Sequence, residues 1–172
     1  MNELLRLQIP QLLDSLAKKG WVTLPNAIAK ADCRLLAAEL ELRQSTQPFP
    51  TAQIGQGAGQ NEATQIRSYT IQWIEADDKE LSVRRWLDEM KDLMPILNEN
   101  FYMSLQCYDC HFACYEPGAF YQKHLDRFRG DPSRVLSVIL FLNEDWLAGE
   151  DGELLIYDPG DSQKQIAQIP PE

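Results

Sequence analysis

His124 and Asp126 stand two residues apart at the end of Tyr115-Glu-Pro-Gly-Ala-Phe-Tyr-Gln-Lys-His-Leu-Asp126, behind a Pro-Gly turn signal. On an extended segment that spacing sends both side chains to one face. An imidazole beside a carboxylate supplies two of the three donors of a non-haem Fe(II) facial triad, which leaves the rest of the ion open for chemistry. The third donor would be a histidine well downstream. The chain has two histidines, His111 and His124, so none follows Asp126. The same triplet also fits a histidine and an aspartate that bond to backbone near a turn.

A second cluster, Cys107-Tyr-Asp-Cys110-His111, has the C-x-x-C-H spacing of c-type haem attachment. Haem attachment requires export, and the N-terminus, Met-Asn-Glu-Leu-Leu-Arg, has no continuous apolar stretch or cleavage pattern. Adding Cys114 raises the possibility of zinc. A single strand, however, would point Cys107 and Cys110 to opposite faces. The cysteines are expected to be reduced packing residues of a cytoplasmic protein.

The 172 residues suit one domain with a real core. A net charge of −10 disfavours nucleic acid and anionic membranes as bulk partners. No apolar run reaches the length of a membrane span. The first part, 1–103, reads as helix-rich. Leu12, Leu13 and Leu16 share a helical face, with Pro10 in the first turn. Residues 20–25 suggest a short strand, and Asp32 an N-cap for a helix that buries Leu35, Leu36 and Leu40. Residues 44–65 read as a long mobile loop, and Ile66–Trp73 as a strand. Val83, Trp86, Leu87, Met90, Leu93, Met94 and Leu97 fall at helical spacing. From 104 to 172 the pattern turns to strands, near 106–115, 134–142, 153–157 and 164–169, separated by turn signals. Helices followed by strands predict an α+β fold, with helices packed on a β-sandwich or jelly roll.

Several blocks together carry a family resemblance: Tyr115-Glu-Pro-Gly, His124-Leu-Asp126, Arg134-Val-Leu-Ser-Val-Ile-Leu-Phe-Leu-Asn143, Asp145-Trp146, Gly152-Glu-Leu-Leu-Ile-Tyr157, and upstream Ile66-Arg67 with Trp73-Ile74-Glu75. In order and spacing they resemble the Fe(II)/2-oxoglutarate dioxygenases of the prolyl 4-hydroxylase type, over roughly residues 20–170. The resemblance implies a double-stranded β-helix (jelly roll) and a single dioxygenase domain over 1–172. It implies hydroxylation of a prolyl residue in a protein or peptide, with O₂ consumed and succinate and CO₂ as co-products. Ascorbate is the auxiliary reductant such enzymes use.

By the same resemblance His124 and Asp126 are metal ligands, and Tyr115, Ile139, Phe141 and Leu154 line the 2-oxoglutarate pocket. Phe141 stands where the animal enzymes carry tyrosine. His111 shares strand parity with Tyr115 and is expected in the same pocket, and Arg67 is a candidate substrate contact. The family's distal histidine and co-substrate arginine match positions beyond Glu172, so the jelly roll is expected to lack its last strands. Arg127, Arg129 and Arg134 are poor substitutes for that arginine. The competing expectation is a non-catalytic binding module, or an inactive truncated pseudo-enzyme, that uses the 44–65 loop as its partner surface.

Overall fold

The computed structural model describes residues 1–52, 66–126 and 134–171. It divides into two compact units, Met1–Val138 and Ile139–Glu172. Most of the expected 44–65 loop, and Arg127 and Arg129, lie outside the described residues.

The first unit opens with helix α1, Glu3–Lys19. Asn2 caps it, its side-chain oxygen accepting from the Leu5 amide at 2.9 Å, and Gly20 closes it in the left-handed region at φ 76°. Pro10 therefore lies inside the helix and not in its first turn. The helix begins earlier than expected because Asn2, not the proline, marks its start. Leu12 is buried with Leu93 and Leu97, and Ile9, Leu13, Leu16, Val22, Leu24 and Leu136 pack around that cluster. Val22 and Leu24 belong to the expected strand at 20–25, but that segment forms no ladder. Its apolar side chains enter the helical core without a strand partner.

Helix α2 spans Lys30–Thr46, so the first residues of the expected loop are helical. Its N-cap is Ala29, with no side-chain cap, rather than Asp32. The Asp32 carboxylate is instead 3.1 Å from Arg85 of the helix that follows. Leu36 is buried, whereas Leu35 is 52% exposed, since one step along a helix turns a side chain about 100° away from a single apolar stripe.

Strand β1, Thr70–Ile74, lies between α2 and helix α3, Leu81–Phe101. Glu80 caps α3 through the Ser82 amide, and Val83, Leu87, Leu93 and Leu97 form its buried stripe. The expected periodicity is thus borne out. Beyond α3, the Asn98 side chain holds both the amide and the carbonyl of Leu105, at 2.7 and 2.9 Å. The Tyr108 hydroxyl donates to the Leu87 carbonyl at 2.6 Å. These bonds lead the chain into strand β2, Cys110–Cys114, which is shorter than the 106–115 expected and leaves Cys107 outside the strand.

β1 and β2 pair antiparallel, with Thr70 opposite Cys114 and Trp73 opposite His111. One sheet face carries Phe112 and Ile74, both buried. It meets α2 where the Arg43 guanidinium lies over the Phe112 ring at 5.7 Å. Arg43 also makes a paired contact with Asp78 at 2.8 and 2.9 Å and a bond to Glu39 at 2.6 Å, which ties α2 to the turn before α3.

The second unit is a hairpin of β3, Leu154–Tyr157, and β4, Gln165–Ile169, with an irregularity between Ile156 and Tyr157. Both strands fall where they were expected. The expected strand at 134–142 forms no ladder among the described residues. The chain is thus a mixed helix-and-strand fold, as its sequence pattern predicted. Among the described residues, no helix is long and apolar enough to cross a membrane.

Candidate metal-binding site

One stretch of chain, 66–74, builds the site. Its second half is β1 with β2 alongside. Its first half continues along the same edge, but its partner is now 120–122: the Ser68 amide donates to the Phe120 carbonyl at 2.9 Å and the Gln122 amide to the Ile66 carbonyl at 2.8 Å. Between the two partners the turn Glu116–Ala119 is looped out, closed by the Ala119 amide on the Glu116 carbonyl at 2.7 Å. Pro117 fills its second position, and Gly118 its third at φ 83°, the arrangement a type II turn requires. The Pro-Gly signal thus delivers His124 and Asp126 next to the sheet face that carries Tyr69, Trp73, His111 and Tyr115.

His124 and Asp126 do meet, as their spacing predicted. Nε2 of His124 is 3.0 Å from Oδ1 of Asp126, and Nδ1 is 2.7 Å from the Gln122 carbonyl. A carbonyl only accepts, so Nδ1 carries the proton, which leaves the Nε2 lone pair and a carboxylate lone pair directed along the line between those two atoms. Two such lone pairs repel unless a cation, a proton or a metal ion, lies between them. Two donors each about 2.1 Å from an octahedral ion, at right angles to one another, sit about 3.0 Å apart. Metal-binding histidines characteristically give their other N–H to a carbonyl or carboxylate, as His124 does. This donor pair therefore fits a divalent metal ion. Among the described residues, no group of three His, Cys, Asp or Glu side chains could hold one.

Aromatic rings wall the pair. Tyr121 stacks on His124 with centroids 3.6 Å apart, and Tyr69 stacks on Tyr115 at 4.5 Å and tilts toward Tyr121 at 5.4 Å. The Arg67 guanidinium lies 5.4 Å from the Tyr121 ring, across the isolated bridge between those residues. Burial pushes the Tyr115 and Tyr121 phenols up, so both remain protonated hydrogen-bond donors at neutral pH. His111 packs edge-on against Trp73 at 5.0 Å. Desolvation, with help from the guanidinium groups of Arg134 and Arg67, holds its imidazole below the ordinary range. Ile71 and Trp73, on the same face, border a hollow of about 210 Å³ together with Pro48, Phe49 and Pro50.

Arg67, Tyr115, His111, His124 and Asp126 thus all lie within the first unit. Ile139, Phe141 and Leu154 belong to the second. There Ile139 is 55% exposed and Leu154 is also exposed, so neither is a core residue of that unit. The sequence reading missed Tyr69, Tyr121 and Ser137, and it set Arg134 aside. Arg134 Nη1 lies 3.5 Å from the Asp126 carbonyl, and the Ser137 hydroxyl donates to Oδ2 of the same residue. No spacing rule links positions eight and eleven residues beyond Asp126, across an intervening turn signal, to its side chain.

The mixed fold sets a His-x-Asp pair beside a tyrosine-lined sheet face, an arrangement that suits a 2-oxoglutarate oxygenase of the prolyl hydroxylase type. Residues 110–172 match the family described as the 2OG-Fe(II) oxygenase superfamily. A crystal structure of a Pseudomonas putida prolyl-4-hydroxylase is similar at 31% identity with a TM-score of 0.78, covering 94% of this chain and 81% of that one. The chain belongs to the 2OG-Fe(II) oxygenase superfamily, and its resemblance to prolyl 4-hydroxylases is confirmed. Membership implies Fe(II), 2-oxoglutarate and O₂ as the reaction's components.

Proposed function

We propose that this chain is an Fe(II)- and 2-oxoglutarate-dependent dioxygenase that hydroxylates a prolyl residue of a protein or peptide. One observation carries the reading: Nε2 of His124 and Oδ1 of Asp126 converge at 3.0 Å while the other ring nitrogen is committed to the Gln122 carbonyl. In this reading His124 and Asp126 hold the metal. When bound, Fe(II) couples the oxidative decarboxylation of 2-oxoglutarate by O₂, to succinate and CO₂, with insertion of one oxygen atom into a substrate C–H bond.

The chain's own residues bind and orient. The Gln122 carbonyl fixes the tautomer of His124, and the Tyr121 ring fixes its plane. The Tyr115 phenol is a donor for a co-substrate carboxylate, with His111 on the same sheet face. The similarity to a prolyl-4-hydroxylase supports a peptide substrate. Arg67, whose guanidinium lies 5.4 Å from the Tyr121 ring, is its contact.

The test is thermal stabilisation by Fe(II) with 2-oxoglutarate under anaerobic conditions. The wild-type protein should be stabilised and His124→Ala should not. Equal stabilisation of both would remove the metal assignment and favour a binding module. Hydroxylation is then sought by mass spectrometry on proline-containing peptides, where a gain of one oxygen on a residue other than proline would redirect the substrate class.

A further inference from the structure

We infer that Ser137 is a positioning residue for the metal-binding carboxylate: by occupying Oδ2 of Asp126 it leaves Oδ1 as the one oxygen offered to the metal. The inference rests on the proposed ligand roles of His124 and Asp126.

An ionised carboxylate only accepts hydrogen bonds, and each oxygen of Asp126 has a separate partner. Oδ1 faces His124 Nε2 at 3.0 Å, and Oδ2 accepts from the Ser137 hydroxyl. A carboxylate without that second bond is free to rotate and to offer both oxygens to one ion, which uses an extra coordination position. Reaction with a co-substrate and O₂ needs those positions open. The hydroxyl therefore selects one-oxygen ligation.

The segment that carries Ser137 is suited to the task although it forms no ladder. Its neighbour Leu136 packs against the buried cluster of Leu12, Leu93 and Leu97. Arg134, on the same segment, reaches the Asp126 carbonyl at 3.5 Å and Oδ1 at 4.0 Å. Leu136 thus anchors the segment in the helical core while Ser137 and Arg134 face the aspartate. Beside them is a hollow of about 130 Å³ lined by Asp126, Arg134, Val135, Leu136 and Ser137, which gives an added methyl group at position 137 room to fit.

The experiment titrates Co(II) into the wild-type chain, Ser137→Ala, and the near-isosteric pair Ser137→Thr and Ser137→Val, following Co(II) affinity by dialysis and the visible d–d bands. Loss of the hydroxyl should weaken Co(II) binding about 10- to 100-fold in the Ala and Val variants. It should also change the band intensity as the second carboxylate oxygen enters the coordination sphere, and threonine should restore both. Metal-free melting temperatures should agree across the set. Wild-type affinity and spectrum in Ser137→Val overturn the inference, as does a fall in metal-free stability with Co(II) binding unchanged. Should Ser137→Ala fail to fold, the Thr and Val pair decides alone. Absence of Co(II) uptake by the wild type overturns the ligand reading itself, an outcome distinct from equal uptake by all four.

Discussion

The Tyr121 ring lies parallel to the His124 imidazole, 3.6 Å between centroids and 19° from coplanar. They lie three positions apart in the chain, and the contact limits rotation of the ring whose Nε2 faces Asp126. Stacked aromatic pairs are worth about 0.5–1.5 kcal/mol beyond their burial. Tyr121→Ala should therefore weaken divalent metal binding by roughly two- to tenfold, while Tyr121→Phe keeps it near the wild-type value. Calorimetric titration with Mn(II) distinguishes these outcomes, and equal weakening in both variants would point to the hydroxyl rather than the stack.

Gly118 holds φ at 83° in the turn that returns the chain toward His124. A Cβ there would meet open space, so the cost of a side chain is conformational and not steric crowding. Gly118→Ala should cost about 1–2 kcal/mol and Gly118→Asn less, since asparagine tolerates the left-handed region. Urea unfolding curves of the two variants check the order.

The Arg43 guanidinium, followed by the backbone bond from Glu80, holds the Asp78 carboxyl below its ordinary value of 3.8. A carboxylate depressed in the folded state contributes its full stability above the unfolded pKa and loses it as pH falls through the folded one. Stability should thus decline on acidification from near pH 4 downward, and Asp78→Asn should flatten that decline. At neutral pH the same substitution should cost about 1–3 kcal/mol by breaking the bidentate bond. Chemical denaturation of both proteins between pH 2.5 and 7, on the order of five points, gives the two slopes.

His111 should remain neutral below the usual histidine range, because desolvation and then the charges of Arg134 and Arg67 disfavour its imidazolium form. A histidine depressed in the folded state contributes stability above its unfolded pKa of 6.5 and loses it as pH falls toward the folded one. Replacing Arg134 with leucine removes one repelling charge and should move the His111 titration upward. NMR titration of the ring protons reads the shift directly.

How much of this was legible in the sequence depended on distance along the chain. His124 and Asp126 were readable because both the pair and the Pro-Gly turn before it are local. The α3 stripe was readable for the same reason, its periodicity running unbroken from Val83 to Leu97. Tyr69 and Ser137 were not, since each meets the site only after the chain has folded back on itself. Asp32 resembled a cap because its type suits one, but its carboxylate pairs with Arg85, 53 residues away. Residues 20–25 have the apolar content of a strand and use it to fill a helical core. The family blocks, in contrast, identified the superfamily because they sample several distant segments at once.

A single ribbon of backbone, 66–74, holds Cys110–Cys114 along one half and Phe120–Gln122 along the other. Side chains alternate with a period of two, so a one-residue slip of that ribbon would send Tyr69 to the far face and part Arg67 from Tyr121 together. The sheet and the His124–Asp126 pair therefore have no separate assembly: whatever zips one zips the other. The Ser68 and Gln122 amides should exchange with solvent in the same opening event as the β1–β2 ladder, so that loss of fold and loss of metal affinity register as one transition.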